Sequence, residues 1–108
     1  MTVKWYNTRL YIPAETAFAK ASVNGSEISL KWKKVKSGSG YEIQYSTKKS
    51  FSKKNASTVD ISGAKMTSTT LSELKVGKKY YIRIRTYKVV KGEKVYSEWS
   101  EAIKAKTK

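Results

Sequence analysis

The chain has no cysteine, no histidine, a single proline, and only 8 acidic residues against 23 Lys plus Arg. Each shortage closes off a class of protein. Without Cys there is no disulfide framework, no thiolate zinc site and no cysteine nucleophile. Without His the commonest general base and metal ligand is missing, and so is a simple pH switch near neutrality. Cysteine absence leaves the compartment open, since it suits a cytosolic protein and equally an exported one that does without disulfides. No apolar run approaches the ~20 residues of a transmembrane helix. The opening residues, Met1-Thr2-Val3-Lys4-Trp5-Tyr6, contain no signal-peptide core. Either a signal lies upstream of Met1, or the chain is a complete small protein that does not use that export route.

A chain of 108 residues makes one domain and can bury one core. With 39% hydrophobic and 12% aromatic residues it is too apolar for disorder. No internal repeat or low-complexity tract is visible. Pro13 is the best boundary marker and separates an arm, residues 1–13, from a domain at 14–108. Within the domain, apolar residues recur at every second position, the period of a strand. Ile28, Leu30 and Trp32 alternate with Ser29, Lys31 and Lys33. Tyr41, Ile43 and Tyr45 alternate with Glu42 and Gln44. The strongest segment is 79–88, where Tyr80, Ile82, Ile84 and Thr86 alternate with Tyr81, Arg83, Arg85 and Tyr87. Weaker segments lie at 17–23, 58–62 and 67–71, with a hairpin at Lys91-Gly92-Glu93, a return through 95–99 and a last strand at 102–107. The connection 48–55 is polar apart from Phe51. Seven short strands separated by turn residues favour an all-β, antiparallel two-sheet sandwich over a barrel.

Three motifs then coincide. Trp32 stands in the second strand, Gly40-Tyr41-Glu42-Ile43-Gln44-Tyr45-Ser46 forms the third, and Leu74, Gly77 and Tyr80 lead into the sixth. Together they resemble a fibronectin type III domain, the immunoglobulin-like seven-stranded sandwich, over about residues 14–108. The likeness is nearest to the Lys-rich modules of Gram-positive gut-bacterial surface proteins. There Trp-Lys-Lys-Val, Gly-Tyr-Glu-Ile-Gln-Tyr-Ser, Gly-Lys-Lys-Tyr-Tyr and Tyr-x-x-Trp-Ser follow one another, as they do here at 32–35, 40–46, 77–81 and 96–100. The resemblance implies a spacer or binding role, no catalysis and no cofactor. It also implies an extracellular or cell-surface setting. Leu74, Gly77 and Tyr80 fit a tyrosine corner, in which the hydroxyl reaches back to the backbone of the preceding connection. Ser97-Glu98-Trp99-Ser100 resembles the later half of the Trp-Ser-x-Trp-Ser box of cytokine-receptor modules, where Trp and Arg side chains interleave on an outer sheet face. Arg83 and Arg85 point outward, flanked by Tyr81 and Tyr87. With the first Trp of the box replaced in the region of Val95 and Tyr96, a partial ladder is expected.

No other grouping suggests chemistry. The carboxylates, from Glu15 to Glu101, are scattered over strands and turns, without the apolar setting or partner base that general acid–base work requires. Their spacing suits no calcium loop. Ser37-Gly38-Ser39-Gly40 is Gly-rich, but it precedes a strand and lacks the Gly-Lys-Ser/Thr ending of a phosphate cradle, so an interstrand turn is the plain reading. The +15 charge is mostly Lys, with Arg only at 9, 83 and 85. Because bidentate recognition of phosphate and bases favours Arg, specific nucleic-acid binding is not expected. Solubility, protection of strand edges and weak attraction to anionic cell-wall polymers are.

Tyr81, Arg83, Arg85, Tyr87, Tyr96 and Trp99 form either a platform for sugars or peptides or a self-satisfied stack that covers the sheet; the second is expected. In the arm, Val3, Trp5, Tyr6, Leu10 and Ile12 are too apolar for a free tail. They suit an added edge strand, the end of a preceding domain, or a docking arm. The functional expectation is a non-enzymatic module of a bacterial cell-surface protein with a protein partner or neighbouring module. A phage virion subunit, such as a capsid decoration or fibre protein with a docking arm, is the alternative. A polyanion-binding domain is a weaker one.

Overall fold

The computed structural model describes residues 12–52 and 54–108. Strand alternation translates directly into layers. In β2 (Glu27–Trp32) the side chains of Ile28, Leu30 and Trp32 are buried while Ser29 and Lys31 face water. In β6 (Lys79–Val90) Tyr80, Ile82, Ile84 and Thr86 turn inward. The smaller sheet has the order β1-β2-β5, with β1 at Phe18–Asn24 and β5 at Ser68–Leu71. The larger sheet runs β4-β3-β6-β7, with β3 at Gly40–Ser46, β4 at Ala56–Ser62 and β7 at Glu93–Tyr96. A last strand, β8 (Ile103–Lys106), also pairs with β6, and every pairing is antiparallel.

The inner faces close on one core. Ile28, Leu30, Trp32 and Leu71 come from the smaller sheet, and Tyr41, Ile43, Tyr80, Ile82 and Ile84 from the larger. The Trp32 and Tyr41 rings meet at 5.4 Å across the sheets. The fully buried Tyr41 keeps its hydroxyl satisfied: it accepts from the Val35 N–H at 2.9 Å and donates to the Ala64 carbonyl at 2.7 Å. The Trp32 indole N–H is buried with no acceptor among the described residues. That cost is set against the burial of a ring carrying 150–250 Å², on the order of several kcal/mol.

Two features go beyond the alternation read in the sequence. The seventh strand is in two pieces: β7 pairs with Tyr87–Val90 and β8 with Lys79–Ile82, in succession along the same edge of β6. The strand expected over 95–99 therefore ends at Tyr96, and Trp99 lies in the irregular stretch between the pieces. The second feature is the path of the chain. Near Ala14 it is tied to the end of the sandwich where β2 gives way to β3: the Ala14 N–H donates to Ser37 Oγ, and its carbonyl accepts from Thr86 Oγ1 at 2.6 Å. At the opposite end the Thr107 and Lys108 N–H groups donate to the Lys78 and Gly25 carbonyls. The described chain thus enters at one end of the sandwich and leaves at the other.

Candidate functional site: the covered face of the larger sheet

From the last residue of β7 the chain reads Tyr96-Ser97-Glu98-Trp99-Ser100-Glu101, an aromatic–Ser–Glu triplet written twice. The serine and the aromatic of each triplet have separate tasks. The Ser97 N–H donates to the Thr86 carbonyl, and the Thr86 N–H donates to Ser97 Oγ, both at 3.0 Å. Ser100 exchanges the same two bonds with Ile84, at 2.8 and 3.0 Å. A serine hydroxyl thus stands where a strand carbonyl would, so β6 keeps its hydrogen bonds although the facing chain has left the ladder. Three residues, 97 to 100, span two of β6, 86 to 84, and this mismatch ends β7. It also turns Tyr96 and Trp99, three apart, onto the one face where Arg83 and Arg85 stand two apart.

The four side chains interleave. The Arg85 guanidinium carbon lies 3.6 Å from the Tyr96 ring centre and 4.3 Å from that of Trp99. On the other face of Trp99 lies Arg83, also at 4.3 Å, and Arg83 is capped by Phe51 at 4.3 Å. The stack therefore runs Phe51–Arg83–Trp99–Arg85–Tyr96. Each cation–ring contact contributes ~0.5–1 kcal/mol at an exposed site and about 2 kcal/mol where water is excluded. Strand β3 holds the guanidinium groups edge-on. Gln44, opposite Arg83 in register, accepts from its Nε at 2.8 Å and from its Nη2. Glu42, opposite Arg85, accepts from Nε at 3.0 Å and from Nη2 at 2.7 Å. Burial and the nearby Arg85 charge pull the Arg83 pKa below its ordinary value; guanidinium titrates so high that it stays charged.

Phe51 is the member that sequence reasoning missed as a site residue. It sits in the polar connection after β3 with φ 51, a left-handed conformation that is costly for a bulky residue. Its side chain is nonetheless buried. The available signal was a lone aromatic in an otherwise polar loop. Tyr96 takes the place of the missing first Trp of the box.

Tyr87 has a different role from the one its position suggested. It is on the outer side of β6 but is buried, lying over Gly40, its cross-strand partner. A Cβ at Gly40 would stand 2.5 Å from the Tyr87 hydroxyl and 2.4 Å from the Ile61 carbonyl oxygen, so only glycine fits. Tyr96 meets Tyr87 edge-on at 6.3 Å, and the Lys94 ammonium lies 4.4 Å from the Tyr87 ring centre. Lys94 also pairs with Asp60 at 2.9 Å, and this hydrogen bond holds the Asp60 carboxyl below its usual value. Burial pushes the Tyr87 hydroxyl up. Tyr81 shares the face, half-buried, and takes no part in the stack.

Of the residues singled out as structural, Trp32, Leu74 and Tyr80 are buried in the core, and Gly77 takes φ 71 in the turn before β6. The Tyr80 hydroxyl accepts from the Lys75 N–H at 2.9 Å. Of the arm, Ile12 is exposed, whereas Val3, Trp5, Tyr6 and Leu10 lie outside the described residues. Among the described residues no three acidic side chains gather as a metal site would need, and no helix is long and apolar enough to cross a membrane.

The stack is thus chemically occupied with itself: its two guanidinium groups meet rings on their faces and acceptors on their edges. The fibronectin type III domain model matches residues 13–105. Among solved structures, an fn3 domain of human contactin 1 superposes with a TM-score of 0.67 at 24% identity, over 85% of this chain and 76% of that one. Chicken CNTN1 FN1-FN3 domains give 0.64 at 30% identity over 83% of this chain, which spans only 29% of that longer one. No curated protein matches. Domains of this kind are typically non-enzymatic structural or interaction modules, often extracellular. With the sandwich, its core and the match along most of its length agreeing, the chain belongs to the fibronectin type III family.

Proposed function

We propose that the chain is a non-catalytic spacer or adhesion module of a bacterial cell-surface protein, akin to the Lys-rich modules of Gram-positive gut bacteria. The observation that carries this reading is the path of the chain. Entry beside Ser37 and exit beside Gly25 lie at opposite ends of the sandwich, so a pull on the two ends runs along the strands. Load then falls in shear on many ladder bonds together rather than peeling them singly. The stack supports the same role, because it clamps β6 to β3 and to the segment after β7 on an outer face that would otherwise be open. In this reading residues 14–108 are the module and residues 1–13 lead into it. Modules in series are what the chicken CNTN1 FN1-FN3 chain contains.

Force spectroscopy on a tandem repeat of this chain tests the spacer role. Each module should give a discrete unfolding peak and release about 30 nm of contour length, at ~3.3–3.6 Å per residue for residues 14–108. Gradual extension without peaks would reject a load-bearing spacer. Antibody labelling of intact cells that express the parent protein tests the location, and labelling only after permeabilisation would reject it.

A further inference from the structure

The two arginines of the described residues are consumed by the stack, so every cation left for a partner among the described residues is a lysine. These lysines are not evenly spread. On the outer face of the smaller sheet Lys20 stands directly opposite Lys31, with Lys33 two residues further on. On the outer face of the larger sheet Lys79 stands directly opposite Lys106, with Lys104 two residues before it. All six are exposed. Like charges directly opposite each other weaken a ladder, and protection of strand edges accounts only for Lys20 and Lys106 on the outer strands, not for Lys31 and Lys79 facing them. None of the six takes part in the ion pairs Arg85–Glu42 and Lys94–Asp60. The two sets also meet. At the open edge between β1 and β8, Lys20 and Lys104 line one cleft of about 240 Å³, floored by Phe18 and Ile103. A continuous lysine belt therefore turns round this edge from one sheet face to the other.

We infer that the belt is a binding track for a flexible, linear phosphate polymer. Ammonium groups are point charges on long stems and lack the rigid fork that reads planar groups, so the track senses charge density along a chain rather than sequence. Its shape selects flexibility. The belt wraps an edge whose two sheets are about 10 Å apart. A duplex with a persistence length of ~50 nm cannot follow that turn, whereas a single flexible chain can. Bound phosphates would also relieve both repulsive pairs. This inference is independent of the spacer reading, because force spectroscopy contains no polyanion.

The test measures the affinity of the whole chain for long-chain inorganic polyphosphate across a sodium chloride series. Six contacts to a flexible polyanion give a slope of log K against log salt of about −4, at ~0.7 per contact. The variant Lys20→Gln/Lys104→Gln/Lys106→Gln should lose about half of that slope and at least tenfold in affinity. Lys48→Gln/Lys49→Gln/Lys54→Gln removes the same charge from the connection after β3, and it should change affinity less than threefold. Circular dichroism checks that both variants are folded. The single variant Lys79→Gln should melt no lower than the parent chain, as expected where a repulsion is relieved, and it should still bind more weakly. Equal weakening by the two triple variants would overturn the inference in favour of net charge alone. Blunt duplex DNA that binds more tightly than polyphosphate, with the belt variant abolishing it, would overturn it in favour of a nucleic-acid surface.

Discussion

Replacing Trp99 by alanine is the sharpest perturbation of the covered face, because its indole is held by an arginine on each side. The substitution removes two cation–ring contacts, ~0.5–1 kcal/mol each. It also forfeits the burial of roughly half of the indole surface, about 100 Å² of the usual 150–250 Å². That is worth about 2.5 kcal/mol at ~25 cal/mol per Å². Part is offset, since Arg83 and Arg85 regain water and keep Gln44 and Glu42 as partners. The net loss should be about 2–3 kcal/mol, a large share of the ~5–15 kcal/mol that stabilises a domain. At ~4–8 °C per kcal/mol for a chain of this size, the melting midpoint should fall on the order of 10–20 °C. Urea and thermal unfolding followed by far-ultraviolet circular dichroism read this directly. Trp99→Phe keeps a ring between the guanidinium groups and should lose about half as much. A double-mutant cycle between Trp99 and Arg85 should show a coupling of ~0.5–1 kcal/mol. If Trp99→Ala costs less than ~0.5 kcal/mol, the range of an ordinary surface change, the stack does not hold the sheet. If stability is also kept while binding to a sugar or peptide is lost, the face is a ligand platform.

Three further outcomes follow from the same geometry. Tyr80→Phe leaves the Lys75 N–H without its acceptor and should cost about 1 kcal/mol in urea midpoint analysis; an unchanged midpoint would show that water replaces the bond freely. Gly40→Ala drives a methyl group against the Ile61 carbonyl and the Tyr87 ring, so it should destabilise by more than ~3 kcal/mol, and a near-neutral result would mean that the β3–β4 edge shifts easily. Asp60 has a folded-state pKa below its unfolded one, so its pairing with Lys94 stabilises the fold above the ordinary carboxylate pKa and is lost as pH falls through the folded value. The pair is half-exposed, so the effect is small and screened. The stability gap between the parent chain and Asp60→Asn should be widest near neutral pH in low salt, and it should close in acid and in high salt.

Much of the architecture was legible in residue order alone. Period-two alternation in 28–32, 41–45 and 80–86 states which side chains share a face, because a pleated backbone imposes that geometry wherever it occurs. The spacing of Leu74, Gly77 and Tyr80 was equally local, and so were the exclusions drawn from missing Cys and His. The covered face was only half legible. The triplet Tyr96-Ser97-Glu98 and Trp99-Ser100-Glu101 is plain in the sequence, yet alternation read it as the end of a strand. Its period of three becomes visible only against β6, where the serine hydroxyls stand in for carbonyls and two residues face three. Phe51 could not be assigned to Arg83 by any local rule, since a loop residue finds its partner through the path of the whole connection. The meeting of Lys20 with Lys104 is of the same kind: they lie on strands of different sheets and become neighbours only when the sandwich closes. Local sequence determines backbone period and therefore faces; register, loop path and edge-to-edge contact are set by the sum of weak interactions between distant segments, and those exist only in the folded chain.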